Sequence, residues 1–195
     1  MHIVFIHGAT ASSRSFAYIQ SVLNFKNTIN LDYNRDNSAF DNLLDMKERI
    51  SRIEDELYFI CHSLGGIYCL YLQEEFSKFT KGICSLSTPF NGSEIATWSS
   101  MLLPHYQLFQ DITPNSSFIF NSKQINIYSP WTQFVTTSGG VPWLAGENDG
   151  IVTKESMMSR NDVDYILLDR NHYEVLQSDR VVKFLTHTTQ GGQNG

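Results

Sequence analysis

The sequence lacks several features that mark specialised proteins. It contains no continuous apolar run of the roughly 18 residues that a membrane-spanning helix needs. Its 14 Lys and Arg are outnumbered by 20 Asp and Glu, and the formal charge of −6 argues against the basic surface of a nucleic-acid-binding protein. The N-terminus shows no basic segment followed by a cleavage site. We therefore expect no signal peptide and a cytoplasmic location.

Cysteine is scarce, and its placement argues against a disulfide framework. The three cysteines, Cys61, Cys69 and Cys84, all lie within apolar stretches. An odd number of cysteines in such positions indicates buried free thiols. The length of 195 residues suits one domain with a substantial core. We predict a single domain over residues 1–187, followed by a disordered polar tail over 188–195.

Apolar runs that resemble strands alternate with stretches of helical periodicity. The strand-like runs cover residues 2–6, 28–31, 58–61, 81–86, 124–128 and 165–168, and residues 174–185 fit a final helix. This alternation predicts an α/β domain with a mostly parallel central sheet and helices on both faces. Ligands of such sheets bind beyond the carboxyl ends of the strands, so polar residues at those ends are candidates for a functional site.

Residues 94–122, after the fourth predicted strand, interrupt the alternation. The segment holds many large apolar side chains among polar residues. It fits two interpretations, a helical part of the core or a short cap-like insertion over a binding cleft. We predict the insertion and leave open whether it moves as a lid.

Ser63 follows an apolar strand and precedes an apolar helix, with small residues between them. This layout is typical of a nucleophile elbow, in which a serine lies on a tight strand-to-helix turn. The usual pattern is Gly-x-Ser-x-Gly, and here Cys61 takes the first position while Gly65 keeps the last. Small residues are required because the strand and the helix come very close at such a turn. The alternative is a serine that simply precedes a helix.

A serine nucleophile needs a base, and His172 is the predicted base because it lies in the segment that follows the last strand. The competing histidines are His62, His105 and His187. For the acid that orients the base we predict Asp149, since the Asn-Asp-Gly turn at 148–150 can present it above the sheet. Asp169 is the second candidate, and Glu147 and Asp164 are others. The order Ser63, Asp149, His172 is the order expected for this architecture.

Attack on a carbonyl creates an oxyanion, which needs preorganised hydrogen-bond donors. We predict the backbone N–H of Leu64, just after the nucleophile, as one donor. The loop after the first strand offers the second donor, with Ala9 the first choice and Thr10 the alternative. Gly8 lets the backbone approach closely there. A simple strand-ending turn at His7 and Gly8 is the alternative interpretation.

With these motifs, the chain resembles the α/β-hydrolase superfamily, specifically its small bacterial lipases and esterases. The resemblance rests on residues 61–66, on Ser-Thr-Pro at 87–89 with Gly-Ser at 92–93, on 148–152 and on 171–172. It implies a minimal α/β-hydrolase fold with Ser63, Asp149 and His172 as the catalytic triad and the amides of Ala9 and Leu64 as oxyanion donors. It also implies substrate contacts near the nucleophile and after the fourth strand, from Thr10, His62, Pro89 and Phe90. Cys61 in place of glycine is a departure from the family pattern.

The predicted function is hydrolysis of carboxylic esters through an acyl-enzyme, with no cofactor and no metal. The expected substrate is a small-molecule or lipid-like ester. An acyltransferase or a thioesterase would use the same residues, and a catalytically silent binding protein on this fold is a more distant alternative. The sequence predicts neither the natural substrate nor the oligomeric state.

Overall fold

The computed structural model describes residues 1–93 and 106–191, and its centre is a sheet of six parallel strands. The strands run in the spatial order β2-β1-β3-β4-β5-β6, and each pairs in parallel with its neighbours. Their bounds are β1 His2–Ile6, β2 Thr28–Asn30, β3 Leu57–His62, β4 Thr80–Leu86, β5 Trp131–Thr136 and β6 Asp164–Leu168. The predicted parallel α/β architecture is thus confirmed.

Helices connect the strands. The described helices are α1 Ala17–Leu23, α2 Ala39–Ser51, α3 Leu64–Glu75, α4 Gln107–Asp111, α5 Ser117–Ser122, α6 Lys154–Met157 and α7 Asp179–Gln190. Short 3₁₀ turns at Ser13–Phe16 and Glu174–Gln177 precede α1 and α7. None of the helices in these ranges is long and apolar enough to cross a lipid bilayer.

The sheet buries apolar side chains on both of its faces. In β1, Val4 and Ile6 point to the face covered by α2 and α3, whereas Ile3 and Phe5 point to the face covered by α1 and α7. All four side chains are at most 3% exposed. Strands buried on both faces are expected to be continuously apolar, as β1 and β3 are. The two-sided cover leaves the carboxyl edge of the sheet as the place for a site.

One predicted strand is wrong. Residues 124–128 are not a strand, and the fifth strand is instead Trp131–Thr136. Ile125 is buried, as the apolar alternation at 124–128 predicts. However, the N–H and C=O groups that would pair with a neighbouring strand are bonded to the side chain of Gln73 instead. Gln73 of α3 donates to the Asn126 carbonyl at 2.7 Å and accepts from the Tyr128 N–H at 3.0 Å.

The C-terminal helix also differs from the prediction. The sequence predicts one helix over 174–185, whereas the structure has a 3₁₀ turn followed by α7, which begins at Asp179. Helix α7 continues to Gln190 and so includes the first three residues of the predicted tail, while 192–195 lie outside the described residues. Of the predicted cap segment, 94–105 also lie outside them, and 106–122 contains α4 and α5.

Candidate active site

The strand order creates a crevice at the carboxyl ends of β1 and β3. From β1 the chain crosses to β2 on one side, and it then returns to β3 on the other side of β1. Ligands of parallel sheets bind where the strand order reverses in this way. A cavity of about 120 Å³ lies at this point, lined by residues 8–11 after β1, by 62–64 at the end of β3 and by His172.

Ser63 lies on the tight turn between β3 and α3, at the wall of this cavity. Its backbone angles, φ 52° and ψ −122°, fall where residues with side chains are rare. Its N–H donates to the Leu86 carbonyl at 2.9 Å and its carbonyl accepts from the Gly66 N–H at 3.0 Å, which holds the turn in place. A Cβ at Gly65 would lie 2.1 Å from the Ile6 carbonyl oxygen, so only glycine allows α3 to start this close to β1.

The loop after β1 approaches Ser63 closely. A Cβ built on Gly8 would lie 3.1 Å from the Ser63 Cβ. The absence of a side chain at Gly8 therefore avoids crowding between the loop and Ser63. The next residue, Ala9, and the first residue of α3, Leu64, both line the cavity beside Ser63. The first N–H groups of a helix have no partner within the helix and carry a partial positive charge. The backbone around Ser63 therefore favours negative charge in the cavity.

Asp149 and His172 form a buried pair, with 1% and 3% of their surfaces exposed. His172 Nδ1 donates to Asp149 Oδ2 over 2.7 Å, and the Thr136 hydroxyl donates to the same oxygen over 2.6 Å. The other oxygen, Oδ1, accepts from the N–H groups of Ile151 at 3.0 Å and Val152 at 2.8 Å. Four donors thus compensate a carboxylate that is cut off from water.

Two opposing effects act on the pKa of the Asp149 carboxyl. Burial raises this pKa, because a charged group is less stable away from water. The hydrogen bond and charge of His172, together with the bonds from Thr136 and Val152, lower the pKa by more, so it lies below its usual value. The ionised carboxylate keeps a hydrogen on Nδ1 of His172 and leaves Nε2 free to accept a proton.

His62 supports the loop that carries His172. Its Nε2 donates to the His172 carbonyl at 2.8 Å, and the two rings lie 4.8 Å apart between centroids. Burial, followed by repulsion from His172, lowers the pKa of His62 from 6.5 to about 3, so the ring is neutral. Its Nδ1 is buried without a hydrogen-bond partner among the described residues. His62 also reaches the cavity wall, as expected for a predicted substrate contact.

The remaining predicted substrate contacts divide into two groups. Thr10 and Pro89 line the cavity. Phe90 is not among the described residues that line it, because its ring is buried against Trp131 at a centroid distance of 5.6 Å and is 1% exposed. Phe90 therefore belongs to the core in this structure, and its role as a substrate contact stays a prediction.

Of the competing candidates, His62 packs against His172, and the others within the described ranges are exposed rather than buried with the pair. Asp164, Asp169 and His187 are exposed on β6, after β6 and on α7, and Glu147 forms an ion pair with Lys154 at 2.5 Å. His105 lies outside the described residues. Sequence reasoning missed Thr136, which touches the buried carboxylate. Its only signal would have been its position at the end of β5, a strand that was not predicted.

Solved structures of hydrolases share this architecture. Lipase BlEst2 of Bacillus licheniformis, in its mature form, superposes on 94% of this chain and 89% of its own, with a TM-score of 0.71 and 16% identity. An alpha/beta superfamily hydrolase from Oenococcus oeni PSU-1 superposes on 95% and 90%, with a TM-score of 0.65 and 16% identity. The protein has the α/β-hydrolase fold. A monoacylglycerol lipase of Paleococcus ferrophilus has the same hydrolase fold, with a TM-score of 0.64, 13% identity and coverage of 96% and 95%.

The sequence comparisons are sparser. No protein-family model matches the chain. Triacylglycerol lipase 2 of Saccharomyces cerevisiae is 30% identical over 190 aligned positions, which cover 75% of this chain and 56% of the relative. This chain therefore spans about half the length of that curated relative.

Proposed function

We propose that this protein is a serine hydrolase that cleaves carboxylic esters through an acyl-enzyme. The observation that carries the proposal is the buried Asp149–His172 pair at the same cavity as the strained Ser63. A histidine held by a carboxylate and placed beside a serine can remove the proton of the hydroxyl. The lipase relative and the lipases and esterases with the same fold support an ester as the substrate.

In the proposed acylation step, Ser63 Oγ attacks the ester carbonyl and His172 Nε2 takes the hydroxyl proton. Asp149 stabilises the imidazolium that forms, without itself taking the proton. His172 then gives this proton to the oxygen of the leaving alcohol, and the acyl group remains on Ser63. In deacylation a water molecule attacks the acyl carbonyl while His172 takes the water's proton. His172 then returns this proton to Ser63 Oγ, and the carboxylic acid is released.

The tetrahedral intermediate places a negative charge on the former carbonyl oxygen. We assign its stabilisation to the N–H groups of Ala9, in the loop after β1, and of Leu64, at the start of α3. The positive end of the α3 dipole adds to this stabilisation. Each such donor contributes about 100- to 1,000-fold to the rate in comparable sites.

The walls of the cavity favour an apolar acyl group. Helices α4 and α5 and the loop between them contribute Phe109, Ile112 and Ile119 to the wall, and α3 contributes Ile67. None of these four side chains offers a polar partner to a charged substituent, so we propose esters with apolar acyl chains as the substrate class.

Hydrolysis of p-nitrophenyl esters from acetate to long-chain acyl groups tests the proposal. We expect hydrolysis by the wild type, with rates that depend on chain length. Ser63→Ala should abolish it, and Asp149→Asn should lower kcat by about 10,000-fold because the histidine tautomer is no longer fixed. Circular dichroism checks that both variants fold.

Two matched variants serve as controls. Asp169→Asn and His187→Gln change exposed residues of the same types and should keep the wild-type rate. Product analysis with an added alcohol separates hydrolysis from acyl transfer. Full activity of Ser63→Ala, or a wild type that is inactive on every ester, would overturn the proposal.

A further inference from the structure

A chain of hydroxyl groups lies behind the Asp149–His172 pair, and the proposed mechanism does not use it. Ser87 Oγ lies 2.7 Å from Thr136 Oγ1, which lies 2.6 Å from Asp149 Oδ2. Ser87 and Thr136 are both 0% exposed. They lie at the carboxyl ends of the neighbouring strands β4 and β5, so the chain connects the sheet to the buried carboxylate.

The direction of these hydrogen bonds is fixed by counting hydrogens. Asp149 is ionised and can only accept, so the single hydroxyl hydrogen of Thr136 points to Oδ2. Thr136 Oγ1 must then accept the hydrogen of Ser87. The resulting sequence, Ser87 to Thr136 to Asp149, makes each bond polarise the next and strengthens the final one.

The backbone of Ser87 gives independent support. Its φ of 54° lies in the left-handed region, and Ser63 and Asn24 are the other non-glycine residues with positive φ in the described ranges. Such a conformation is strained and persists where the surrounding structure enforces it. Its N–H donates to the Phe134 carbonyl of β5 at 3.0 Å, which anchors it beside Thr136. In this conformation the hydroxyl of Ser87 lies within hydrogen-bond distance of Thr136.

We propose that Thr136 is a positioning residue for the active site and that Ser87 orients its hydroxyl. This inference rests on the proposed serine-hydrolase function. The Thr136 hydroxyl fixes the orientation of the carboxylate, so that Oδ2 faces His172 while Oδ1 stays with the two loop amides. The titratable groups that face Asp149 are His172, in contact with Oδ2, and His62, packed against His172. No other side-chain donor touches Asp149 within the described ranges, so Thr136 has no substitute there.

Thr136→Val tests this role, since valine keeps the branched shape and removes only the donor. We expect kcat to fall about 10-fold with KM unchanged, because the acid and base lose alignment while the cavity keeps its walls. Without the Thr136 hydroxyl, the Asp149 carboxylate has one hydrogen-bond donor fewer and should attract the Nδ1 hydrogen of His172 more strongly. The acidic limb of log kcat/KM against pH should therefore move up by about half a unit.

Further variants separate positioning from a structural role. Thr136→Ser restores the hydroxyl and should restore most of kcat and the original acidic limb. Ser87→Ala keeps the strained backbone and removes the hydroxyl, so it should shift the profile in the same direction by less. Ser85→Ala is the matched control, because Ser85 is a buried hydroxyl between the same strands, bonded to Gln133 and Trp131 and not to Asp149. It should lower the melting temperature without moving the pH profile.

The outcomes distinguish this inference from the proposed function. A wild type that needs Ser63 for ester hydrolysis, combined with a Thr136→Val profile identical to wild type, would overturn the inference alone. A shift equal in Ser85→Ala and Thr136→Val would also overturn it. If no ester is cleaved, an NMR titration of the His172 ring in the wild type and in Thr136→Val still tests the inference. Identical titration midpoints in the two proteins would contradict it.

Discussion

At the scale of single residues, Gly65 sets how closely α3 approaches β1. A Cβ there would lie 2.1 Å from the carbonyl oxygen of Ile6 and 2.9 Å from that of His7, and these backbone atoms cannot move independently of the sheet. Cys61, at the other small position of the turn, is fully buried and fits without such a conflict. The glycine is therefore the stricter requirement of the two.

Gly65→Ala should lower the free energy of unfolding by about 1–3 kcal/mol, because the added methyl group forces β1 and α3 apart. It should also lower the proposed esterase activity, since the same shift displaces the turn that holds Ser63. Chemical denaturation and ester hydrolysis measure the two effects. Gly191→Ala is the control, since a Cβ there meets its nearest atom, Nδ1 of His187, at an ordinary 3.6 Å. Equal stability of both variants would contradict the argument.

How far the site could be predicted depended on how local each signal was. Ser63 directly follows a strand, His172 lies just beyond the last strand, and Asp149 occupies a strong turn signal, so the chain sequence alone marked them as candidates. The structure brings Asp149 and His172 into contact. Thr136 had no such signal, because its strand was misplaced and its partner Ser87 depends on a backbone conformation that sequence does not reveal.

At the scale of elements, the fifth strand illustrates what a pattern of alternating side chains leaves open. The side chains of residues 124–128 bury as a strand would, but pairing also needs free backbone groups on both partners. Gln73, fully buried on α3, takes those groups instead. Nothing in the local sequence of 124–128 marks a glutamine some 50 residues earlier in the chain, so this error could not be avoided by pattern reading.

Helix α4 is tied to the N-terminus of α2 by one carboxylate. Asp111 Oδ2 accepts from the Ala39 N–H at 2.8 Å, one of the groups that a helix leaves without an internal partner. The same short helix places Phe109 at the cavity wall, and Ile112 follows directly after it. This contact therefore links the stability of α2 to the shape of the cavity.

Asp111→Ala should lower the free energy of unfolding by about 1 kcal/mol, the typical effect of losing a helix cap. With α4 less firmly held, KM for long-chain esters should rise while kcat for acetate stays close to wild type. Asp45→Ala, which removes an exposed carboxylate from the middle of α2, is the control and should change neither. Unchanged KM values in Asp111→Ala would separate α4 from acyl-chain binding.

At the scale of the whole molecule, buried neutral histidines couple folding to pH. The pKa of His62 is lowered to about 3, and burial also lowers that of His7 despite the Gly8 carbonyl and Asp32. In the unfolded chain both rings bind protons below about pH 6.5, whereas the folded protein excludes them. The unfolded state therefore binds more protons, and acid destabilises the fold.

We expect the free energy of unfolding to fall as the pH drops from about 6.5 to 4, by up to about 1.4 kcal/mol per pH unit for each histidine. Asp149 acts in the same direction, but only near and below its ordinary pKa of 3.8, because its folded-state pKa is lowered. Urea denaturation between pH 4 and 7 measures the slope. His62→Gln should flatten it, while the exposed His187→Gln should leave it unchanged.

The three cysteines are buried thiols whose reactivity depends on opening of the core. Each is 0% exposed, on β3, α3 or β4, at the centre of the layered core. Burial also raises the pKa of the Cys61 and Cys84 thiols, which keeps them in the unreactive protonated form. An alkylating reagent therefore finds no target until the sheet itself opens. The rate of thiol labelling therefore measures how often the centre of the core opens, without any introduced probe.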